Sequence, residues 1–317
     1  MFAPDINEWL PDESSAKSDT AMTIKIETIG VIAKVQGESE AVGATIKQLV
    51  AFLTQKSCNV VYDKSINNFI KTLQIAPTLL SRSDLAQQSD LIVVVGGDGT
   101  FLSAVRSLAE FKIPILGINL GHLGFLMNIS PDSMLTHMEQ ILQGNYIDEG
   151  RFLLQSQIIR NGNIISQADA FNDVVVHIRD VARMVEFETY INGQFVNYQR
   201  ADGLVVSTPT GSTAYALSSG GPLLHATLDA IALVPICPHT LTNRPLVINA
   251  SSKVEIVIGN REQTTSQVTF DGQTAFDVRP GDRIVIEKKD HKIHLIHPAS
   301  YDYYDILRAK LHWSKQL

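Results

Sequence analysis

The run Leu91-Ile92-Val93-Val94-Val95, followed at once by Gly96-Gly97-Asp98-Gly99-Thr100, constrains this chain more than any other stretch. Five consecutive apolar residues, rich in Val and closed by two glycines, describe a strand buried on both faces. Such strands belong to parallel sheets covered by helices. The neighbouring segments fit that setting. Residues 23–33 (TIKIETIGVIA), 59–63 (NVVYD) and 113–121 (IPILGINLG) read as strands. Residues 40–56 carry Val42, Ile46, Leu49, Val50 and Leu53 at helical spacing, and 100–111 (TFLSAVRSLAEF) read as a second helix. Strand and helix alternate, so the first half is expected to be an α/β layer structure.

After about Arg151 the texture changes to short strands, among them NIISQADAFNDVVVHI, MVEFETYINGQFVNY and DRIVIEKKDHKIHLIHP. Asn161-Gly162, Asn192-Gly193 and Asp271-Gly272 mark hairpin turns. The second half is therefore expected to be β-rich. Residues 300–317 have helical spacing at Ile306, Leu307 and Leu311, which suits a segment docking back on the first half. The expected division is a tail over 1–21, an α/β domain over 22–150 plus 296–317, and a β-rich domain over 151–295. The tail holds five acids, one Lys and two Pro. It lacks the basic start and apolar stretch of a signal peptide and reads as a disordered extension, the alternative being a true start at Met22, where an apolar strand region begins.

Composition excludes several classes. With 26 Lys plus Arg against 33 Asp plus Glu, the formal charge is −7, which argues against a nucleic-acid binder. No apolar run approaches the ~20 residues that span a bilayer, so no membrane partner is expected. Cys58 and Cys237 are the two cysteines, and they form no CxxC pair. A zinc site or disulfide framework is not expected, and a cytoplasmic setting fits. The nine histidines make no metal-ligating motif.

Three places carry chemistry. Gly96 to Thr100 stands where a buried strand ends and a helix begins, the position at which open α/β sheets bind ligands. Glycines let backbone approach a phosphate, and the helix offers free N–H groups. A carboxylate there repels phosphate, so Asp98 points to a metal or a substrate hydroxyl, the alternative being a tight turn with Asp98 as a helix cap. The second place is Asp202-Gly203 followed by Ser207-Thr208-Pro209-Thr210-Gly211-Ser212-Thr213-Ala214-Tyr215. From 203 to 243 the single charged residue is Asp229, and the stretch is dense in Ser, Thr and Gly. Hydroxyls and open backbone amides suit a phosphate or nucleotide rather than a solvated surface. The alternative is a Ser/Thr-rich turn before a buried helix, expected over TAYALSSGG. The third is Asn172-Asp173, which suits vicinal hydroxyls but is also an ordinary turn pair.

These motifs together resemble the bacterial NAD kinase family. The matching pieces are GGDGTFL (96–102), GINLGHLGFL (117–126), FNDVVVH (171–177), RADGLVVSTPTGSTAYALSSGGPLLH (200–225), DAIALVPICPHTLTNRPLVI (229–248) and LIHPASYDYYDILRAKLHW (295–313). GGDGT alone is weakly specific, because lipid kinases share it. Its coincidence with TPTGSTAY and PHTLTNRPLVI is highly specific. The resemblance covers nearly all of 22–317. It implies an N-terminal α/β domain, a β-rich C-terminal domain, and transfer of the γ-phosphoryl group of ATP to the 2′-hydroxyl of the adenosine ribose of NAD. It implies that Asp98 is catalytic, facing the 2′-hydroxyl, and that Asp98 and Gly99 contact NAD. Asn172 and Asp173 fill the family's Asn-Glu pair, with Asp one methylene short. Further implied contacts to NAD are Arg183, Arg200, Asp202, the run Thr213, Ala214, Tyr215, Ala216, Leu217 and Ser218, and Gln273. A divalent cation, Mg²⁺ or Mn²⁺, is expected to arrive with ATP. A homodimer or homotetramer is also implied. The rival readings are a lipid or sugar kinase built on the shared GGDGT, and a non-catalytic NAD(P) sensor.

Overall fold

The computed structural model describes residues 25–33, 40–72, 77–121, 124–179, 184–259 and 266–313. The acidic tail and Arg183 lie outside them. The first half contains β1 (Thr28–Ala33), α1 (Glu40–Gln55), β2 (Asn59–Asp63), α2 (Asn67–Thr72), β3 (Thr78–Leu80), α3 (Arg82–Gln88), β4 (Leu91–Gly96), α4 (Asp98–Ser107), β5 (Ile115–Asn119) and α5 (Pro131–Leu142). Its five strands are parallel, in the order β3-β2-β1-β4-β5. The uninterrupted apolar run of β4 has a direct cause. Val93 and Val95 pack into the core beneath α1 and α5, while Ile92 and Val94 pack into the opposite core with Phe101 and Val105 of α4. Strand order reverses between β1 and β4, so the crevice at their carboxyl ends is the topological switch point. Asp98 stands at that crevice.

The second half adds β6 (Tyr146–Arg160), β7 (Asn163–Ala170), β8 (Asp173–Ile178), β9 (Val185–Ile191), β10 (Gln194–Ala201), β11 (Gly203–Ser207), the single-turn α6 (Tyr215–Ser218), β12 (Ala230–Ile236), β13 (Leu246–Asn249), β14 (Val254–Ile258), β15 (Ser266–Phe270), β16 (Thr274–Val278), β17 (Arg283–Pro298) and α7 (Tyr303–Leu311). Six of these strands form an antiparallel sheet in the order β13-β12-β11-β8-β15-β16. Strands β10, β9, β14 and β17 extend the first sheet beyond β5, with β6 joined to β17 and β7 to β6. The two sheets enclose a core that includes Phe152, Val174, Phe187, Val206, Ile256 and Phe270.

Strand β17 is what unites the halves. Its first part pairs with β14 and its later part meets β5 through Leu295 and Ile115, while β6 runs antiparallel along most of its length. The chain end returns to the first half, where the Lys310 ammonium lies 5.6 Å from the centre of the Phe125 ring. The fold class read from the sequence, α/β followed by β-rich, is the one observed.

Several details differ from the sequence reading. Strand β1 begins at Thr28, with residues 25–27 outside it and 23–24 outside the described residues. Helix α4 begins at Asp98, two residues early, because extended Gly97 serves as its cap. The expected TAYALSSGG helix shrinks to one turn, preceded by a 3-10 turn at Thr210–Thr213. It stops where Gly220 takes φ +82°, a conformation natural to glycine. The charge-poor stretch is not uniformly covered: Gly203 to Ser212 are buried, whereas residues 237–247 are mostly exposed, Leu241 being 97% exposed. The three hairpins follow their turn chemistry. Asn161, Asn192 and Asp271 each take positive φ before a positive-φ Gly, which matches the strand twist.

Candidate functional site

Asp98 is the first residue of α4, directly after β4. The loop following β5 folds over its carboxylate. Phe125 N–H donates to Asp98 Oδ2 at 3.2 Å. Gly124 crosses so closely that a Cβ there would lie 2.2 Å from Oδ1. Oδ1 itself is buried and has no partner. Burial raises the Asp98 pKa above the usual carboxylate value, opposed by the amide groups of Phe125, Leu126 and Met127 and by the charge of Lys310. The desolvated oxygen is thereby made more basic than a carboxylate in water. A hydroxyl would satisfy it.

The second group converges on the start of β8. Asn172 O accepts from Thr208 N–H at 2.9 Å. Thr208 Oγ donates to Phe171 O at 2.7 Å and accepts from Gly211 N–H at 3.1 Å. The Thr-Pro-Thr-Gly turn is thus bonded directly onto the Asn172 backbone. Gly211 is obligatory, since a Cβ there would sit 2.1 Å from Asn172 O. Asn172 Oδ1 is buried without a partner, like Asp98 Oδ1. Beneath the turn, Arg151 is 4% exposed and donates to Thr210 Oγ1 at 3.2 Å and to Glu149 Oε2 at 2.8 Å.

The hairpin between β15 and β16 joins these two groups. Gln273 Nε2 donates to Gly99 O at 2.8 Å. The Asp271 carboxylate accepts from the backbone N–H of Phe171, Asn172 and Asp173 at 3.1, 2.7 and 3.2 Å. It also receives Arg106 Nη1 at 2.5 Å. Sequence reasoning missed Asp271 and Arg106 as site residues. Asp271 carried only the signal of an Asp-Gly turn, and Arg106 only that of a basic residue in the last helical turn.

Asp173 is 4% exposed. Burial, with the nearby charge of Asp271 adding to it, pushes its pKa up to about 7. Its unfolded value is ~3.9. The native state therefore binds its proton more tightly, so its contribution to stability is complete below about pH 4 and is lost as pH rises through 7. Three units correspond to at most ~4 kcal/mol. Asp173→Asn is expected to raise the Tm of the unliganded protein at pH 8 and to lose that advantage at pH 5. Thermal melts at the two pH values check this. Equal melts at pH 8 would remove the buried charge from the account.

The remaining sequence-derived residues spread along β11. Ser207 pairs with Asp173 at one end and Gly203 with His177 at the other. Asp202 therefore lies ~17 Å from Ser207 at strand rise. Arg200 is at that far end, its Nε 3.2 Å from Glu186 Oε1. Thr213, Ala214, Ala216, Leu217 and Ser218 line the turn and the single-turn α6, with Tyr215 47% exposed beside them. Asp98, Gly99, Gln273, Asn172 and Asp173 are brought together through the hairpin. Arg200 and Asp202 are not.

A doubly wound sheet with a carboxylate at its switch point, closed by a β-rich second half, defines a nucleotide-binding architecture. The ATP-NAD kinase N-terminal domain matches residues 29–146, and the ATP-NAD kinase C-terminal domain matches 171–298. The NAD kinase of Nitrosococcus oceani is 46% identical over 93% of this chain and all of its own length. That of Azotobacter vinelandii is 47% identical over 91% of this chain and 97% of its own. Among solved structures, yeast NADH kinase complexed with NADH superposes with a TM-score of 0.85 at 23% identity, covering 92% of this chain and 89% of that one. An NAD kinase from Archaeoglobus fulgidus in complex with ATP gives 0.67 at 25% identity, covering 90% and 97%. The chain belongs to the NAD kinase family.

Proposed function

We propose that this chain is an ATP-dependent NAD kinase, transferring the γ-phosphoryl group of ATP to the 2′-hydroxyl of the adenosine ribose of NAD to give NADP. Family membership supports the activity. The observation that carries the site is the partnerless Asp98 Oδ1 at the switch point, tied through one hairpin to the Asn172–Asp173 turn. In this reading Asp98 accepts the hydrogen bond of the 2′-hydroxyl and takes its proton late in the transfer. Phosphoryl transfer passes through a loose transition state, so alignment and charge neutralisation outweigh base strength. Asn172 and Asp173 hold the ribose, and the length of β11 suits a dinucleotide better than a single nucleotide.

The other assignments are part of the same proposal. Arg183, Arg200, Asp202, Gln273 and the run from Thr213 to Ser218 contact NAD, some of them across a subunit interface of a homodimer or homotetramer. Mg²⁺ or Mn²⁺ enters bound to ATP and is treated as part of that substrate. The protein works in the cytoplasm; among the described residues no helix is long and apolar enough to cross a membrane. Its domains divide at 150 and 296.

An acceptor panel tests the reaction class. With γ-labelled ATP, label is expected on NAD and not on diacylglycerol or a free sugar. Label on either of the latter would favour a kinase that shares only GGDGT. Dinucleotide binding without label on any acceptor would favour a sensor.

A further inference from the structure

Helix α4 carries Asp98 at its start and Arg106 near its end, eight residues or ~12 Å along the axis. The β15–β16 hairpin grips it at both places. Gln273 Nε2 donates to Gly99 O at 2.8 Å, and Arg106 Nη2 donates to Gln273 Oε1 at 2.6 Å. The other Arg106 nitrogen, Nη1, meets Asp271 Oδ2 at 2.5 Å. That carboxylate is fully buried, and it also collects the backbone N–H groups of Phe171, Asn172 and Asp173. Asp271 takes φ +50° in the hairpin turn, before the positive-φ Gly272.

The result is a closed chain of hydrogen bonds from the Gly99 carbonyl, through Gln273, Arg106 and Asp271, to the Asn172–Asp173 backbone. Residues 106 and 271 are 165 apart in sequence. No other device among the described residues bonds α4 and the Asn172–Asp173 turn to one common pair of side chains. We propose that Arg106 and Asp271 are positioning residues, forming a strut that fixes the distance between Asp98 and the Asn172–Asp173 turn. The inference rests on the reading of those residues as the reaction site. Neither Arg106 nor Asp271 touches substrate in this account.

A guanidinium with two fixed partners and a carboxylate with four are over-determined, so the strut holds one geometry. Misplacing reacting groups by 1 Å costs ~100-fold in rate. Arg106→Gln is therefore expected to lower kcat ten- to a hundredfold and to change the KM for NAD less than threefold. Arg106→Lys, which reaches one of the two partners, is expected to recover part of the loss. The double variant Arg106→Gln/Asp271→Asn is expected to be no slower than the worse single, because both break one strut. Glu110→Gln weakens a separate, exposed contact to Lys289 of β17, outside the strut, and is expected to leave kcat unchanged.

Steady-state kinetics on these variants, with Asp98→Asn in the same series, tests the strut. A wild-type kcat for Arg106→Gln beside an inactive Asp98→Asn overturns it, as does a loss confined to KM. Fully multiplicative losses in the double variant also overturn it. Turnover retained by Asp98→Asn instead rejects the site reading itself, which separates the two failures. Arg106 is 15% exposed on the helix surface, so its variants report even where Asp271→Asn fails to fold.

Discussion

Asp98→Asn is expected to bind NAD normally and to lose at least ~100-fold in kcat, the lower range of general-base contributions. The substitution is nearly isosteric. The Phe125 amide keeps its acceptor, because an Asn carbonyl accepts as the Oδ2 oxygen does. What disappears is the partnerless, desolvated Oδ1, the atom that would orient the hydroxyl and take its proton. An amide in that place either donates or accepts weakly, and it holds no proton at neutral pH. Isothermal titration with NAD beside initial-rate measurements separates binding from turnover. Turnover within a few fold of wild type would take Asp98 out of the reaction.

Gly211→Ala is expected to remove activity with an effect of similar size, and to destabilise the protein by about 1–3 kcal/mol, the usual cost of overpacking. The added methyl would meet Asn172 O, C and Cα at 2.1, 2.5 and 2.7 Å. These are backbone atoms in a hydrogen-bonded turn, so they do not move aside as a flexible side chain would. The Thr208–Asn172 bond must lengthen, and Asn172 shifts with it. Gly272→Ala tests the opposite case for packing alone. No atom lies within 4 Å of its Cβ position, but φ is +62°, so backbone strain without a clash is its expected defect. A melt and a rate for each check the pair. Wild-type activity in Gly211→Ala would show that the turn does not depend on this approach.

Much of the fold was legible because its signals are local. The Leu91–Val95 run, the switch to Gly-Gly and the three Asn-Gly or Asp-Gly pairs each express one physical requirement. Two-sided burial, backbone approach and positive φ are written in adjacent residues. The short α3 and the three-residue β3 left no such trace, and α6 was over-read because a Ser/Thr-rich run resembles a helix start. In the site, Asp98 was legible from its place between strand and helix. Asn172 and Asp173 alone looked like a turn, and the resemblance to a family gave them their role. The strut was illegible. Its partners lie 165 residues apart, and a carboxylate that collects distant backbone amides has no sequence pattern. The depth at which Asp173 is buried was likewise invisible, since it follows from β11 and β15 flanking β8 on both sides.

The central claim is a transfer to one hydroxyl of NAD, and its most direct test is to identify the product. The purified protein is incubated with NAD, ATP and Mg²⁺, and the product is offered to an NADP-dependent dehydrogenase that ignores NAD. Phosphate appearing on the 2′-oxygen, seen as stoichiometric dehydrogenase turnover and ADP release, is the result this account predicts. ADP release without a dehydrogenase substrate, or NAD binding with neither product, would contradict it.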